Sequence, residues 1–335
     1  MANKELIFQI KNLQMSFPIR KGMMRRTTGH VKAVDDVSLD IYKGETLGIV
    51  GESGCGKTTL GRTLKRLYTA TAGTARYKGQ DIFRMDRAQA HRYAKEVQMI
   101  FQDPYSSLDP RMTVREIIRE GMRNHGILRG DRPGQDRRIR ELLGMVGLGA
   151  EHADRFPHEF SGGQRQRIGI ARSLAVEPEV IICDEPTSAL DVSIQAQIVN
   201  LLKSLQEEFG LTLIFISHNL SLVKYISDRV GVMYLGSMVE LAPADLLYDD
   251  PAHPYTEALI SAIPIPDPAV QRRRQMIRLT GDIPSPINTP EDACPFAGRC
   301  PYAAPACSKT APRLAEVAPG HLAACDRVRK ERKAP

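Results

Sequence analysis

The sequence predicts an α/β fold with a mixed sheet whose central strands are parallel, on three observations. Short apolar runs, such as Thr46–Val50 and Val180–Cys183, alternate with stretches whose apolar residues recur at helical spacing. The first run passes through a glycine-rich loop directly into such a stretch. Beyond residue 250 the composition shifts, because 14 of the 22 prolines and four of the six cysteines fall there. The first two observations build the body of the chain, and the third marks a loop-rich C-terminal extension.

Thr46-Leu47-Gly48-Ile49-Val50 reads as a buried strand, and Thr59 to Leu67 reads as a helix. Between them stands Gly51-Glu52-Ser53-Gly54-Cys55-Gly56-Lys57-Thr58. Strand, glycine loop and helix in that order are the context a phosphate-binding loop requires. Gly51, Gly54 and Gly56 let the backbone curl so that its N–H groups face one anion, and the helix N-terminus adds its dipole. Lys57 is placed to reach the β- and γ-phosphates of ATP, and the Thr58 hydroxyl to ligate Mg²⁺. Glu52, Ser53, Cys55 and Thr59 complete the lining, with Cys55 read as a spacer that is alkylatable if exposed.

Val180-Ile181-Ile182-Cys183 reads as a second buried strand delivering Asp184 and Glu185 at its end. Asp184 is placed to hold Mg²⁺ through water, which leaves Glu185 to orient and deprotonate an attacking water. Cys183 is a small buried hydrophobe.

Between these elements stands Ser161-Gly162-Gly163-Gln164. With it the chain resembles the ATP-binding subunits of ABC transporters over almost its whole length. Gln102 after the run Val97 to Phe101, Pro178 before the second strand, Ser188-Ala189-Leu190-Asp191 after the acid pair, and His218 closing Leu213–Ser217 follow in the family's order. The resemblance implies a P-loop ABC ATPase core over residues 1–235, with a helical subdomain at about 104–165 and an extension over 236–335. It implies that Ser161, Gly162, Gly163 and Gln164 close over the γ-phosphate held by another subunit. One copy of each motif then requires a partner chain. It also implies that His218 contacts the γ-phosphate and that Gln102 senses Mg²⁺ and water, relaying that state to a membrane partner. Phe17, in Leu13-Gln14-Met15-Ser16-Phe17, matches the aromatic that stacks on adenine, with core packing as the competing reading. Lys57, Glu185, Ser161 and His218 are all present, so the chain is expected to be competent for hydrolysis.

Gly236-Ser237-Met238-Val239-Glu240, Pro251-Ala252-His253-Pro254-Tyr255-Thr256 and Leu259–Pro264 resemble the C-terminal extension of oligopeptide and dipeptide importer ATPases, in particular the second of the two ATPases such systems use. The basic insertion Arg20, Lys21, Arg25, Arg26, His30 and Lys32 fits the same group. The partners this implies are a second, similar ATPase, two membrane-spanning permeases and, indirectly, an extracytoplasmic peptide-binding protein. The implied place is peripheral, at the cytoplasmic face of the inner or plasma membrane. Nickel chelates and glutathione are alternative cargoes within the group.

The tail cysteines run Cys294-x5-Cys300-x6-Cys307-x17-Cys325. A proline-rich segment of this kind calls for a cross-link or metal to order it, and a cytosolic setting disfavours disulfides. Four thiolates suit zinc or a [4Fe–4S] cluster, and no Cys-x-x-Cys pair of the usual zinc kind is present. The resemblance associates this pattern with an iron–sulfur cluster; zinc is the alternative.

A net charge of +7 over 335 residues suits an anionic membrane surface and nucleic acid alike. ABC ATPases that act on nucleic acid carry paired units, a long coiled coil or zinc modules in the core. None is visible, so nucleic acid is not an expected partner. No apolar run approaches the roughly 18 residues of a membrane span, Met1–Leu6 does not begin a signal peptide, and Arg272-Arg273-Arg274 and Lys330–Lys333 read as solvated surface.

Overall fold

A computed structural model describes residues 5–21, 26–264, 267, 276–281, 284–285, 287 and 292–331. Met1–Lys4, Arg25, Arg272–Arg274, Arg332 and Lys333 lie outside the described residues, as do the side chains of Lys21, Lys330 and Glu331. The chain forms two compact units, and neither follows the linear order of the sequence. One, the phosphate-loop unit, combines Leu6–Ile41, Thr46–Phe83 and the chain from Ser217 onward; the other, the signature unit, is built on Tyr42–Glu45 and Arg84–Ile216. The tail after residue 236 therefore belongs to the same unit as the glycine loop.

In the phosphate-loop unit, β1 (Leu6–Lys21) lies between β2 (Arg26–Tyr42) and β4 (Ala72–Tyr77), with β5 (Gln80–Asp81) beyond β4. β1 and β4 are antiparallel, with Phe8 opposite Tyr77 and Ile10 opposite Ala75, all four buried. β3 (Thr46–Val50) is buried at every position and pairs parallel with β9 (Arg229–Tyr234). Burial on both faces is why its sequence is an unbroken apolar run and not an alternation. β9 pairs antiparallel with β10 (Ser237–Pro243). The tail continues this edge: β12 (His321–Ala323) pairs antiparallel with β10, and β11 (Ala315–Ala318) with β12.

The sequence assigned the tail's order to a metal or cross-link, but strand addition and one buried carboxylate also supply it. Glu240 of β10 is fully buried and accepts the N–H groups of Ala252 (2.7 Å) and His253 (2.8 Å). His321 Nε2 lies 2.6 Å from the same carboxylate, and it is also fully buried. One side chain thus pins β10, β12 and the segment entering α9 (Pro254–Ser261). A buried acid with every oxygen engaged is tolerable; the same acid stripped of these donors would carry a full desolvation penalty.

The signature unit holds three parallel strands. β6 (Val97–Ile100) pairs with β7 (Val180–Asp184), and β7 pairs with β8 (Thr212–Ile216). β7 and β8 are buried throughout. No strand lies between Ile100 and Val180, where α3 (Val114–Asn124) and α4 (Arg132–Met145) form with two short 3₁₀ turns. Thr113 and Glu116 make a reciprocal capping box at the start of α3. Arg115 binds Asp136 (2.6 Å) and Asp154 (2.9 Å), tying α3 to α4 and to the turn that follows. Both pairing senses occur in the molecule, as the predicted mixed α/β fold requires.

Candidate nucleotide site

The glycine loop leaves β3 at Gly51 and enters α1 (Lys57–Leu64) at Gly56. Gly56 is the N-cap in a left-handed conformation, φ 101°, and a Cβ there would meet the Ala33 carbonyl oxygen at 1.9 Å. Gly51 has φ 152°, and its Cβ would lie 2.2 Å from the Met233 carbonyl oxygen. Both neighbours are backbone, so neither can swing aside, and glycine is obligatory for space as well as for φ. Gly54 also has positive φ. Lys57 is 4% exposed, and its ammonium donates to the carbonyl oxygens of Gly51 (2.8 Å) and Glu52 (2.9 Å). Its three donors, held against the loop at a helix start, suit phosphate oxygens. Thr58 and Thr59 are half-buried, and Ser53 is exposed.

Cys55 is buried, so the exposure on which its alkylation was made conditional is not met. Burial pushes its thiol up from the ordinary value, and Lys57, whose Nζ lies 3.7 Å from the sulfur, opposes that only in part.

Glu52 is held on three sides. Its N–H donates to the Tyr255 hydroxyl at 3.0 Å, its carbonyl accepts from Lys57, and its carboxylate takes both arms of Arg299 at 2.8 and 3.1 Å. Tyr255 is fully buried, with its ring centroid 4.7 Å from Tyr234 and 5.4 Å from Phe296. Burial raises the Tyr255 phenol, so the group stays a hydroxyl at neutral pH. Neither Tyr255 nor Arg299 was picked out as contacting the loop. The available signal was slight: an arginine between two cysteines in Phe296-Ala297-Gly298-Arg299-Cys300.

Phe17 is half-buried on β1 and packs edge-on against Tyr68, centroids 5.3 Å apart. Tyr68 accepts a 3.4 Å hydrogen bond from Arg62 of α1. His218 is exposed, between Ser217 and the α7 N-cap Asn219; α7 spans Leu220–Ile226. The Asn219 N–H donates to the Ser217 hydroxyl (3.0 Å), while Ser217 N–H donates to Ile49 O (3.1 Å), which fixes where His218 emerges.

In the signature unit, β7 ends on Asp184, fully buried, and Glu185 follows with φ 45°. A left-handed glutamate costs on the order of 1–3 kcal/mol and clusters at functional positions. It is held by its N–H to the Ile216 carbonyl (3.0 Å) and by Gln102, whose amide donates to the carboxylate at 3.0 Å. The structure thus brings together Gln102 and Glu185, which lie 83 residues apart in sequence. Cys183 is buried, as read, and burial raises its thiol strongly.

Ser161 caps α5 (Gly162–Leu174) in a reciprocal box: Gln164 N–H donates to the serine hydroxyl (3.3 Å), and Ser161 N–H donates to the Gln164 side chain (3.0 Å). Gly162 and Gly163 lie beside side-chain atoms only, of Leu190, Tyr105 and Ile194. Arg165, one turn in, sits 4.0 Å over the Tyr105 ring, a contact the sequence did not announce.

The four tail cysteines are free and half-exposed. Burial pushes the Cys294 thiol up to about 11, and Cys307, Cys300 and Cys325 each add to the rise, so the four share one neighbourhood. Cys294 N–H also donates to the Cys307 carbonyl at 2.8 Å. Among the described residues, however, no group of three or more His, Cys, Asp or Glu side chains is arranged to hold a metal ion. The expected cluster or zinc ligand set is not closed in this arrangement.

Residues 34–188 match the family described as ABC transporter, and residues 239–307 match the oligopeptide/dipeptide transporter C-terminal region. The chain is 53% identical to the oligopeptide transport ATP-binding protein AppF of Bacillus subtilis (strain 168), over 97% of this chain and 98% of AppF. The chain belongs to the ATP-binding proteins of oligopeptide-type ABC transporters. It is also 59% identical to OppF of the same organism, over 81% of this chain and 86% of OppF. The ATP-binding cassette MJ0796, solved as a dimer in a post-hydrolysis state with ADP and Pi, shares the fold with a TM-score of 0.63 and 27% identity. That match covers 71% of this chain and 99% of MJ0796. The chain is therefore an ABC-type ATPase, and among the described residues no helix is long and apolar enough to cross a membrane.

Proposed function

We propose that this chain is the ATP-hydrolysing subunit of an importer for dipeptides and oligopeptides, driving uptake through separate permease subunits. Residues 1–235 serve as the ATPase domain and 236–335 as its extension. The observation that carries the catalytic part is the Gln102–Glu185 hydrogen bond, which holds a general base on the tip of a buried strand. The cargo class rests on the match of residues 239–307 and on the printed names of the relatives.

In this reading the N–H groups of Gly51, Glu52, Ser53, Gly54, Cys55 and Gly56, with those of Lys57, Thr58 and Thr59, face the phosphates, although the Glu52 N–H is here given to Tyr255. Lys57 leaves the loop carbonyls for the β- and γ-phosphate oxygens, and Phe17 stacks on adenine. Thr58, Asp184 and Gln102 would hold Mg²⁺, which neutralises phosphate charge when bound. Glu185 takes a proton from the attacking water as the new O–P bond forms and the bond to ADP breaks, releasing ADP and phosphate. His218 donates to the γ-phosphoryl oxygens. Ser161, Gly162, Gly163 and Gln164 cap the γ-phosphate bound by a second, similar ATPase, so two chains complete each site. The assembly sits at the cytoplasmic face of the membrane, and the extracytoplasmic binding protein that delivers peptide is reached only through the permeases.

Glu185→Gln should cut turnover by about 10²- to 10⁴-fold while ATP affinity holds, because only the base is lost. Retained hydrolysis would remove Glu185 from its role. Copurification should recover two hydrophobic permeases and a second ATPase; recovery with nucleic acid instead would overturn the transport reading.

For the tail we propose a [4Fe–4S] cluster on Cys294, Cys300, Cys307 and Cys325, with zinc as the alternative, each requiring the four neighbouring thiols to draw into one ligand set. Protein purified anaerobically should absorb broadly near about 400 nm. Stoichiometric zinc in a colourless sample selects the alternative, and no metal at all refutes both.

A further inference from the structure

We infer that Arg299 is a positioning residue for the phosphate loop, acting from the cysteine-bearing tail through the Glu52 carboxylate. The inference rests on reading Gly51–Thr58 as the phosphate site.

Glu52 presents a formal negative charge at the entrance to a loop that must accept a polyanion. Left alone, that carboxylate would oppose the charge of Lys57, five residues on, and repel a triphosphate. Arg299 answers it with a two-armed contact at 2.8 and 3.1 Å, the geometry that is strongest and most orienting for a guanidinium and a carboxylate. The Arg299 side chain is only 9% exposed and that of Glu52 24%, so the pair is shielded from the screening that makes surface pairs weak.

The clamp also has a rigid base. Arg299 reaches the Tyr234 hydroxyl at 3.5 Å, and Phe296, three residues earlier and 1% exposed, packs against Tyr234, Tyr255 and His253. Tyr255 in turn accepts the Glu52 N–H. The main chain and side chain of one loop residue are therefore gripped by two residues that both come after residue 250. Arg299 also stands between Cys294 and Cys300, so whatever orders that segment sets how firmly the loop is held.

The test is equilibrium binding of N-methylanthraniloyl-ATP to the full chain, with thermal melting measured alongside. Arg299→Ala should raise Kd roughly tenfold, because it orphans the Glu52 charge. Arg299→Lys, which keeps the charge but loses the fork, should fall between the two. Adding Glu52→Gln to Arg299→Ala should bring Kd back to within about threefold of wild type, since the unpaired charge is gone. A merely structural arginine would give a double variant no better than Arg299→Ala, and that result overturns the inference, as does wild-type affinity in Arg299→Ala. If Arg299→Ala does not fold, Arg299→Lys carries the test, and an unchanged Kd there is equally fatal. Lys57→Ala separates the two readings. If it too binds normally, the phosphate-site reading fails; if it loses binding while the Arg299 variants do not, only the inference fails.

Discussion

Two of the glycine-bearing helix starts among the described residues, those of α1 and α5, are built in opposite ways. At the start of α1 the glycines are forced: Gly56 and Gly51 have positive φ and lie against backbone carbonyls, and the loop between them is braced by Tyr255, Arg299 and the inward-turned Lys57. At the start of α5, Gly162 and Gly163 have no positive φ and face only side-chain atoms, Ser161 is exposed, and its hydroxyl closes on its own helix through Gln164. The first is shaped before any ligand arrives. The second is satisfied by itself, and under the function proposed above it exchanges that bond for the γ-phosphate of a partner's nucleotide. A helix N-terminus attracts negative charge in both cases, so packing separates a cradle from a cap.

The largest expected break in this contrast comes from the glycines themselves. Gly56→Ala drives a Cβ to within 1.9 Å of the Ala33 oxygen and should cost on the order of 4 kcal/mol, abolishing nucleotide binding. Gly163→Ala meets Ile194 Cγ2 at 2.6 Å, a β-branch methyl that gives way only by rotation of a stiff χ1 or a small shift of its helix, a lesser obstacle than a backbone carbonyl. The substitution should cost about 1–3 kcal/mol and leave binding intact while slowing turnover. Melting curves and ATP titrations of the two variants decide it; equal losses would erase the distinction.

A pH titration probes the bracing that only the first helix start possesses. His253 is fully buried beside Phe296 and accepts the Tyr255 N–H (3.1 Å) on Nδ1; burial lowers its pKa from 6.5 to about 4. Between those values the unfolded chain binds the proton and the folded chain does not, so stability is full above pH 6.5 and falls as pH drops toward 4. The loss should reach up to about 3 kcal/mol, visible as a falling melting temperature that His253→Asn flattens. A profile unchanged by that substitution would remove His253 as the cause.

The smallest effect belongs to Ser161→Ala. Removing the cap should cost about 1 kcal/mol, leave ATP affinity of the single chain unaltered, and lower turnover only when the chains pair. Weakened binding to the isolated chain would mean that the α5 start is not the separate cap described above.

Legibility in the sequence followed the reach of each interaction. β3, β7 and β8 announced themselves because strands buried on both faces leave unbroken apolar runs, and Gly51–Thr58 because its residue pattern is complete within eight positions. The cap of α5 was likewise local. The Arg299–Glu52 pair spans 247 residues and has no periodicity to betray it. Glu185 gave no hint of its left-handed φ, and the Ile216 carbonyl that holds its N–H comes from a strand remote in sequence. Burial of Cys55 depends on the fold around the loop, so composition could not decide it. The tail's prolines gave no sign that two short strands extend the sheet edge at β10.

That edge has a bearing on how far the chain can be shortened. Were the protein cut ahead of His321, β10 would lose β12, its unpaired amides and carbonyls would lie open as a template for foreign strands, and Glu240 would forfeit its imidazole neighbour. Such a fragment would retain every residue proposed to touch ATP and still tend to self-associate, because β12 is the selvedge that covers β10.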